Sequence, residues 1–342
     1  MTDRSSQTPA AESAAAIAPD PAPHIAEAAH FDRPPRSQWR DVWDQFKNHR
    51  GALFGAAIFA IIIIGVYLGP LVYWQDPQQV PTGRAFLEAR DTRPIYTALW
   101  DETAKVSWAY PLGTDNLGRD TLARLLMGGQ VSIAVGMAAM LLSLVLGTAI
   151  GVFAGYFRRL DGPLMRLTDL FLALPLLPLL LVAVLLFREP LSNAFGPEGG
   201  TFILIVTLVG ITSWMQTARI VRGDILALKE REFVLAARSI GTSPVMIITR
   251  HLLPNVLSPI MVSATLGIAT AIITESALSF LGVGFPPDFP TWGKMLADAV
   301  PRMDQYPERV VLPGMAISLT VLSVNYLGDG LRDALDPRIR GR

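Results

Sequence analysis

The chain has 342 residues, of which 51% are hydrophobic and only 17% are charged, with 29 basic and 29 acidic side chains. Soluble domains carry about a quarter charged residues, so this composition excludes a soluble protein, a disordered chain and a basic nucleic-acid-binding protein. The absence of cysteine excludes disulfides, thiolate metal sites and cysteine nucleophiles, and a membrane protein with several spans remains.

The N-terminal region divides into two parts. The first 36 residues are rich in Ala, Pro and Ser and have no sustained apolar run, so they predict a disordered cytoplasmic tail rather than a signal peptide. Residues 37–50 predict an amphipathic helix along the inner membrane surface, because Trp39, Trp43 and Phe46 share one helical face. A helix packed on protein is the alternative for the same pattern.

Six apolar segments follow, and each is close to the ~20 residues that a helix needs to cross the hydrocarbon core. They predict an all-α membrane protein with six transmembrane helices, and Pro175 and Pro178 predict a kink in the third. Asp169 and Glu275 are the charged residues within these segments. In chain order, the segments are 51–74, 130–157, 167–187, 201–218, 259–282 and 310–328.

The distribution of Lys and Arg predicts the orientation, because cytoplasmic loops carry an excess of both. With the N-terminus in the cytoplasm, 19 of the 29 basic residues lie in cytoplasmic segments and 10 lie outside. Both termini are therefore predicted to be cytoplasmic. The long segment 75–129 is then periplasmic. Residues 130–328 form a five-helix core with a cytoplasmic loop at 219–258, and a cytoplasmic tail follows at 329–342.

The chain lacks the nucleotide-binding pattern G-x-x-x-x-G-K-[S/T], so it does not bind nucleotide phosphates by that route. Its four scattered histidines predict no metal site, and no group of His, Asp and Ser predicts an enzyme. An ion-coupled carrier needs several ionisable groups at membrane depth, and Glu275 is the one clear candidate. We expect Glu275 near the membrane interface or at a helix break, and Asp169 at a helix start as a cap.

The loop 219–258 carries the most informative pattern. Glu232 begins a short segment of small and apolar residues that ends at Gly241. A short helix ending at a glycine makes a compact projection around which another protein can close, and a solvated helix is the alternative. The candidate coupling residues are Glu232, Ala236, Ala237, Arg238, Gly241, His251, Leu253 and Pro254.

A second pattern precedes the second span. Asp and Asn before an apolar run predict a helix N-cap there, and contact with an external binding protein is the alternative. The residues of this motif are Gly113, Thr114, Asp115, Gly118, Arg119 and Asp120. The candidates for a gate or a substrate path are Glu275, Phe280 and Trp292, and for Glu275 a structural capping role is the alternative.

These patterns carry a resemblance to a known family. The run from Ala236 through Gly241 to Pro254 resembles the E-A-A-x3-G-x9-I-x-L-P loop of ABC importer permeases, with Leu235 in place of the Glu and His251 in place of the Ile. The resemblance covers about residues 37–340 and favours the second, C-type permease of dipeptide/oligopeptide systems. Segments similar to those of such permeases are 111–120, 274–282, 291–296 and 327–338.

The resemblance implies one half of the membrane channel of an ATP-driven importer in the bacterial cytoplasmic (inner) membrane. The implied partners are a homologous permease, two ATPase subunits that bind the ATP and Mg²⁺, and a periplasmic or extracellular substrate-binding protein. Neither a cofactor nor an enzymatic activity is expected on this chain. Peptides are the first expected substrates, with glutathione or nickel chelates as alternatives. A self-sufficient secondary transporter or channel is the alternative function.

Overall fold

The computed structural model describes residues 38–335, and this part of the chain is mostly helical and has no β-strand. The all-α fold class is confirmed for these residues. The predicted tail over the first 36 residues lies outside the described residues, as does the last part of the predicted C-terminal tail, 336–342.

Six helical segments are long and apolar enough to cross a membrane, which confirms the predicted number of spans within the described chain. Five of them are single helices, and the fourth is a pair of helices, α7 and α8, separated by a short break. In chain order they are α2 (Arg50–Val72), α4 (Thr121–Tyr156), α6 (Leu176–Phe195), α7 (Pro197–Ile211) with α8 (Trp214–Leu228), α10 (Pro244–Phe280) and α12 (Glu308–Leu335).

Shorter helices connect or precede the spans. The segment 73–120, which we call the cap, joins α2 to α4 and contains one short helix and a 3₁₀ turn. The helix α10 contains a π-helical turn near its start, over Ile247–Leu252. The shorter helices are α1 (Gln38–Asn48), α3 (Gly83–Ala89), α5 (Arg158–Ala173), α9 (Glu232–Ser239) and α11 (Trp292–Ala299).

The third span differs from its predicted position at 167–187. Helix α5 ends at Ala173, the backbone of Leu174 is extended (φ −78°, ψ 135°), and the spanning helix α6 begins only after Pro175 and ends at Phe195. Proline lacks the amide donor and disfavours a helical backbone in the residue before it. The helix is therefore interrupted at Leu174 and Pro175, although the apolar sequence continues across both residues.

The predicted cytoplasmic loop 219–258 is also largely helical. Helix α8 continues through its first residues to Leu228, and α10 begins at Pro244 rather than at 259. Hydropathy marks the apolar stretch of a helix, whereas the hydrogen-bonded ladder continues into polar sequence. Between the two helices lies α9, so the loop is three helical pieces joined by short turns.

Helix α4 packs against α2, α7, α8 and α10, and its contact with α8 is the most extensive. A Cβ atom on Gly147 would lie 2.7 Å from the Trp214 carbonyl oxygen, and one on Gly151 would lie 2.7 Å from that of Ala218. Small residues one turn apart allow this approach.

The spans alternate in direction, so their ends collect at two opposite ends of the bundle. The cap and α11 lie at one end, which we call the cap end. At the other end lie α5, α9 and the start of α10, and we call it the coupling-loop end.

Candidate functional site

Helix α9 is anchored to the bundle on one side and exposed on the other. Val234 is fully buried in a cluster with Val221 and Ile225 of α8 and Ile247 of α10. Apolar side chains that remain exposed on an anchored helix mark a surface for another protein. The exposed apolar side chains here are Phe233, Leu235 and Ile240.

The end of α9 is fixed by its glycine. Gly241 has φ = +80°, a left-handed conformation that glycine adopts without strain. The Thr242 amide donates to the Ala237 carbonyl oxygen (3.1 Å), and the Gly241 amide donates to that of Arg238 (3.0 Å). These two bonds form a Schellman motif, and the predicted short helix ending at a glycine is confirmed.

The predicted coupling residues divide into a packed group and an exposed group. Ala237 is buried, and Leu253 packs against the cluster around Val234. The ring centroids of His251 and Phe233 lie 6.3 Å apart, which connects α9 to the start of α10. The exposed group is the part available to a partner chain, and it consists of Glu232, Ala236, Arg238, Gly241 and Pro254.

Two ion pairs join α5 to α8, and the sequence carries no signal for either. Arg222 donates from Nε and Nη2 to the carboxylate oxygens of Asp161, at 2.5 and 2.8 Å. These hydrogen bonds lower the pKa of Asp161. In the second pair, Arg219 Nη2 of α8 lies 2.5 Å from Asp169 Oδ1. Asp169 lies inside α5 rather than at its start. The prediction that Asp169 caps a helix start is therefore wrong.

Glu275 lies within α10, about one turn before the helix ends at Phe280, and is fully buried. The expectation of a helix break at this residue is wrong. The Ser279 hydroxyl donates to Glu275 Oε1 at 2.7 Å. A fully buried carboxyl group cannot touch cargo that moves along the surface of this chain. Any role of Glu275 in a gate therefore acts through packing and hydrogen bonds.

Helix α11 packs directly onto α10 and α4 at the cap end. The Trp292 Nε1 donates to the Leu125 carbonyl oxygen at 2.9 Å, and the Trp292 ring is buried. A Cβ atom on Gly293 would lie 2.2 Å from the Ser276 carbonyl oxygen. Among the three gate candidates, Phe280 alone has an exposed side chain (40%).

Asp120 caps the start of α4, as predicted. Its Oδ1 accepts a hydrogen bond from the Ala123 amide at 2.9 Å, and the Tyr73 hydroxyl donates to its Oδ2. Burial raises the pKa of Asp120. The pKa of Tyr73 is raised by burial first and by its bond to Asp120 second. The pair thus ties the end of α2 to the start of α4.

The rest of the predicted motif builds the interior of the cap. A Cβ atom on Gly113 (φ +74°) would lie 2.4 Å from the Thr92 carbonyl oxygen, so the chain passes too closely for a side chain. Arg119 Nε donates to Asp115 Oδ2 at 2.7 Å. This arrangement favours a structural role over direct contact with a binding protein. The buried members of the motif are Gly113, Thr114, Gly118, Arg119 and Asp120.

Six apolar spans, a folded cap at one end and an anchored helix with exposed apolar side chains at the other define a multi-pass membrane protein of the permease class. The chain belongs to the family of binding-protein-dependent transport system inner membrane components, whose family model matches residues 147–341. Residues 37–89 match the N-terminal transmembrane domain of oligopeptide transport permease C. The resemblance to C-type dipeptide/oligopeptide permeases is confirmed, and the chain is a permease subunit of an ABC importer.

The relatives span nearly the whole chain. It is 34% identical to the oligopeptide transport system permease protein OppC of Bacillus subtilis (strain 168), over 93% of this chain and 96% of that protein. It is 38% identical to the glutathione transport system permease protein GsiD of Escherichia coli O6:K15:H31, over 90% of this chain and 92% of that protein. This membership does not favour a self-sufficient secondary transporter or channel.

The fold is similar to that of a solved transporter. The MetNI methionine ABC transporter, in an inward-facing conformation, matches 62% of this chain and 97% of its own chain with a TM-score of 0.50 and 17% sequence identity. At this identity the likeness shows the fold alone. The matched family consists of transport subunits rather than enzymes.

Proposed function

We propose that this chain is the C-type permease of a bacterial peptide importer in the inner membrane, with both termini in the cytoplasm. The relative named for oligopeptide transport supports peptide cargo, and the excess of Lys and Arg supports the orientation. A homologous permease supplies the other half of the path, and a substrate-binding protein delivers cargo from outside. Two ATPase subunits bind the ATP and Mg²⁺, so this chain needs no cofactor.

The observation that carries the proposal is the exposed apolar surface of α9 at the coupling-loop end. Ile240, which directly follows α9, is 84% exposed, whereas Val234 within α9 is fully buried. The loop holds the small residues and the terminal glycine of the pattern by which importer permeases resemble one another. A groove of an ATPase subunit that closes around α9 covers these apolar side chains, which favours association.

Movement of α9 passes to the spans because α9 does not pack as a separate unit. Val234 lies among residues of α8 and α10, so a displacement of α9 moves both helices. Helix α5 follows through the ion pair between Arg222 and Asp161. Close-packed elements shift as rigid bodies rather than deforming continuously, and ATPase closure is transmitted in this way to the bundle.

The experiment places one charge on α9 and a matched charge at the opposite end. Ile240→Asp is compared with Leu99→Asp in the cap, whose wild-type side chains are 84% and 83% exposed. An aspartate in an apolar contact is left unpaired, and we expect at least about tenfold lower ATPase co-purification for Ile240→Asp. Leu99→Asp should keep the ATPase bound. Full ATPase binding and full uptake with Ile240→Asp would overturn the docking assignment.

The substrate is tested with the complete complex in lipid vesicles. Uptake of tri-alanine and of glutathione is measured with the cognate binding protein and with ATP inside the vesicles. ATP-dependent uptake of tri-alanine is the expected result. Uptake of glutathione alone would overturn the peptide assignment, and uptake by this chain without ATPase subunits would instead support a self-sufficient carrier.

A further inference from the structure

A cavity lies where the third span begins and where the fourth span is interrupted. Helix α7 ends at Ile211 and α8 begins at Trp214, with a non-helical break at residues 212–213 between them. The backbone is extended at Leu174, just before α6. Both breaks and one face of α10 border the same cavity, which has a volume of about 290 Å³.

The cavity lies within the membrane-spanning part of the bundle. Met140, near the middle of α4, borders it. Gly147 of α4 packs against Trp214 and Thr217 of α8, and Thr217 lines the cavity. Both residues of α4 lie about two or more helical turns from either end of Thr121–Tyr156. The break between α7 and α8 is therefore at membrane depth rather than at a bundle end.

Most of the side chains that line this cavity are apolar, and six polar side chains lie among them, on α8, on α10 and at the break between α7 and α8. The hydroxyls of Thr212, Ser213 and Thr270 donate to backbone carbonyl oxygens one turn earlier, at 2.8, 2.7 and 3.1 Å, and their oxygen atoms remain acceptors. Thr217 and Ser263 hydrogen-bond to each other at 2.7 Å and tie α8 to α10. None of the residues that line the cavity is charged.

The exposed side chain of Gln216 favours a surface that does not face lipid. Its side chain is exposed, lines the cavity and has no hydrogen-bond partner within residues 38–335. An unpaired carboxamide is strongly disfavoured in hydrocarbon. Non-helical backbone at membrane depth is tolerated where it lines a water-filled cavity or is buried in protein. Water and cargo inside the cavity would account for both the unpaired side chain of Gln216 and the non-helical backbone at residues 212–213.

We propose that this cavity is this chain's part of the substrate path, and that Gln216 and Thr270 bind the backbone amide groups of the cargo. The inference rests on the proposed function as a peptide importer and names the residues that contact the peptide. A carboxamide donates and accepts hydrogen bonds, as a peptide group does. With no charged lining residue, the cavity offers no group that forms an ion pair with a charged side chain of the cargo.

The first test uses the absence of cysteine from the chain, which makes an introduced cysteine the one thiol of this subunit. In the complete complex, Gln216→Cys and Thr270→Cys are treated with a water-soluble methanethiosulfonate reagent. Leu185→Cys on α6, where the wild-type side chain is 69% exposed and apolar, is the control.

Thiolates form poorly in apolar surroundings, so we expect both cavity cysteines to react at least about tenfold faster than the control. Labelling should also stop uptake of tri-alanine. Reaction as slow as that of Leu185→Cys would show that lipid or the sister permease covers this surface, and would overturn the proposal. Fast labelling with undiminished uptake would overturn it as well.

The second test changes the charge of the cavity. In Gln216→Glu, uptake of Ala-Lys-Ala relative to Ala-Glu-Ala should rise by about tenfold over the wild-type ratio, because a carboxylate in a confined site attracts cations. The binding protein is the same in both complexes, so the change reports this chain. An unchanged ratio would exclude contact between Gln216 and the cargo.

The hydroxyl is tested with a control on the same helix. Thr270→Val should lower tri-alanine uptake. The control is Thr274→Val, which removes the bond from the Thr274 hydroxyl to the Thr270 carbonyl oxygen (2.8 Å) but no hydroxyl that lines the cavity, and it should not lower uptake. Equal effects would overturn the role of Thr270. If the wild-type complex transports no peptide, the proposed function fails, while the labelling rates still decide whether the cavity is open to water.

Discussion

Arg222 of α8 donates two hydrogen bonds to Asp161 of α5, and this bidentate pair connects the segment before the third span to the helix that leads into the coupling loop. The backbone changes direction at Leu174, after α5. A displacement of α8 is therefore passed through a charged contact to the helix that enters the third span. Because α5 leads into α6, the same ion pair connects the third span to the fourth, and both spans border the cavity.

Replacing Asp161 should weaken this connection. The side chains of Asp161 and Arg222 are 27% and 32% exposed, so solvent screening limits the loss of stability in Asp161→Asn to about 1 kcal/mol. ATP-driven uptake should fall more than stability suggests, because the link between α5 and α8 is lost. Thermal unfolding and uptake of the complete complex measure the two effects.

Asp169→Asn is the matched control for this change, since it removes the second ion pair between the same two helices. The side chains of Asp169 and Arg219 are 62% and 51% exposed, so the free energy of unfolding should change by less than about 0.5 kcal/mol. A larger loss for Asp169→Asn than for Asp161→Asn would contradict the assignment.

The contribution of Asp161 to stability should depend on pH. Hydrogen bonds from Arg222 lower the pKa of Asp161 in the folded protein, while an unfolded Asp titrates near ~3.9. The stabilisation is therefore complete above that value and is lost as the pH falls through it towards the lower folded pKa. The difference in Tm between wild type and Asp161→Asn should narrow below about pH 4. A Tm difference that stays the same as the pH falls well below that value would exclude the ion pair as its source.

Two glycines of the coupling-loop end should respond to alanine with opposite sign. Gly241 has φ = +80°. Gly241→Ala should cost about 1 kcal/mol and reduce ATPase coupling, because alanine is strained in the left-handed conformation that the Schellman motif requires. Gly223 lies inside α8 with open space around its Cβ position, so Gly223→Ala should stabilise by about 0.5–1 kcal/mol. Thermal unfolding of both variants measures the effects, and destabilisation by both would contradict the backbone argument.

The orientation of the chain can be read with single cysteines. Leu99 in the cap is 83% exposed, and Gly162 in α5 has open space around its Cβ position. A membrane-impermeant thiol reagent should label Leu99→Cys in cells with a permeable outer envelope and Gly162→Cys only after the inner membrane is opened, because thiolates react where water reaches them. Labelling in the reverse order would invert the proposed topology.

Several features of the protein follow from local sequence. Six apolar stretches are enough to predict six spans, since the bilayer sets the length of a crossing helix. The Gly241 terminus of α9 and the Asp120 cap of α4 were predictable too, because capping uses residues within a few positions of the helix end. The pattern in the loop 219–258 and the motif before the second span were also enough to indicate the family.

Other features depend on contacts between distant residues, and hydropathy does not report these. The apolar segment 167–187 is continuous, yet Pro175 ends one helix inside it. Arg222 and Asp161 are 61 positions apart, a separation at which no periodicity relates them. Glu275 was recognisable as an intramembrane charge, but its complete burial follows from the packing around α10. The cavity exists because the start of α6, the break between α7 and α8, and one face of α10 meet in space, and that meeting is a property of packing.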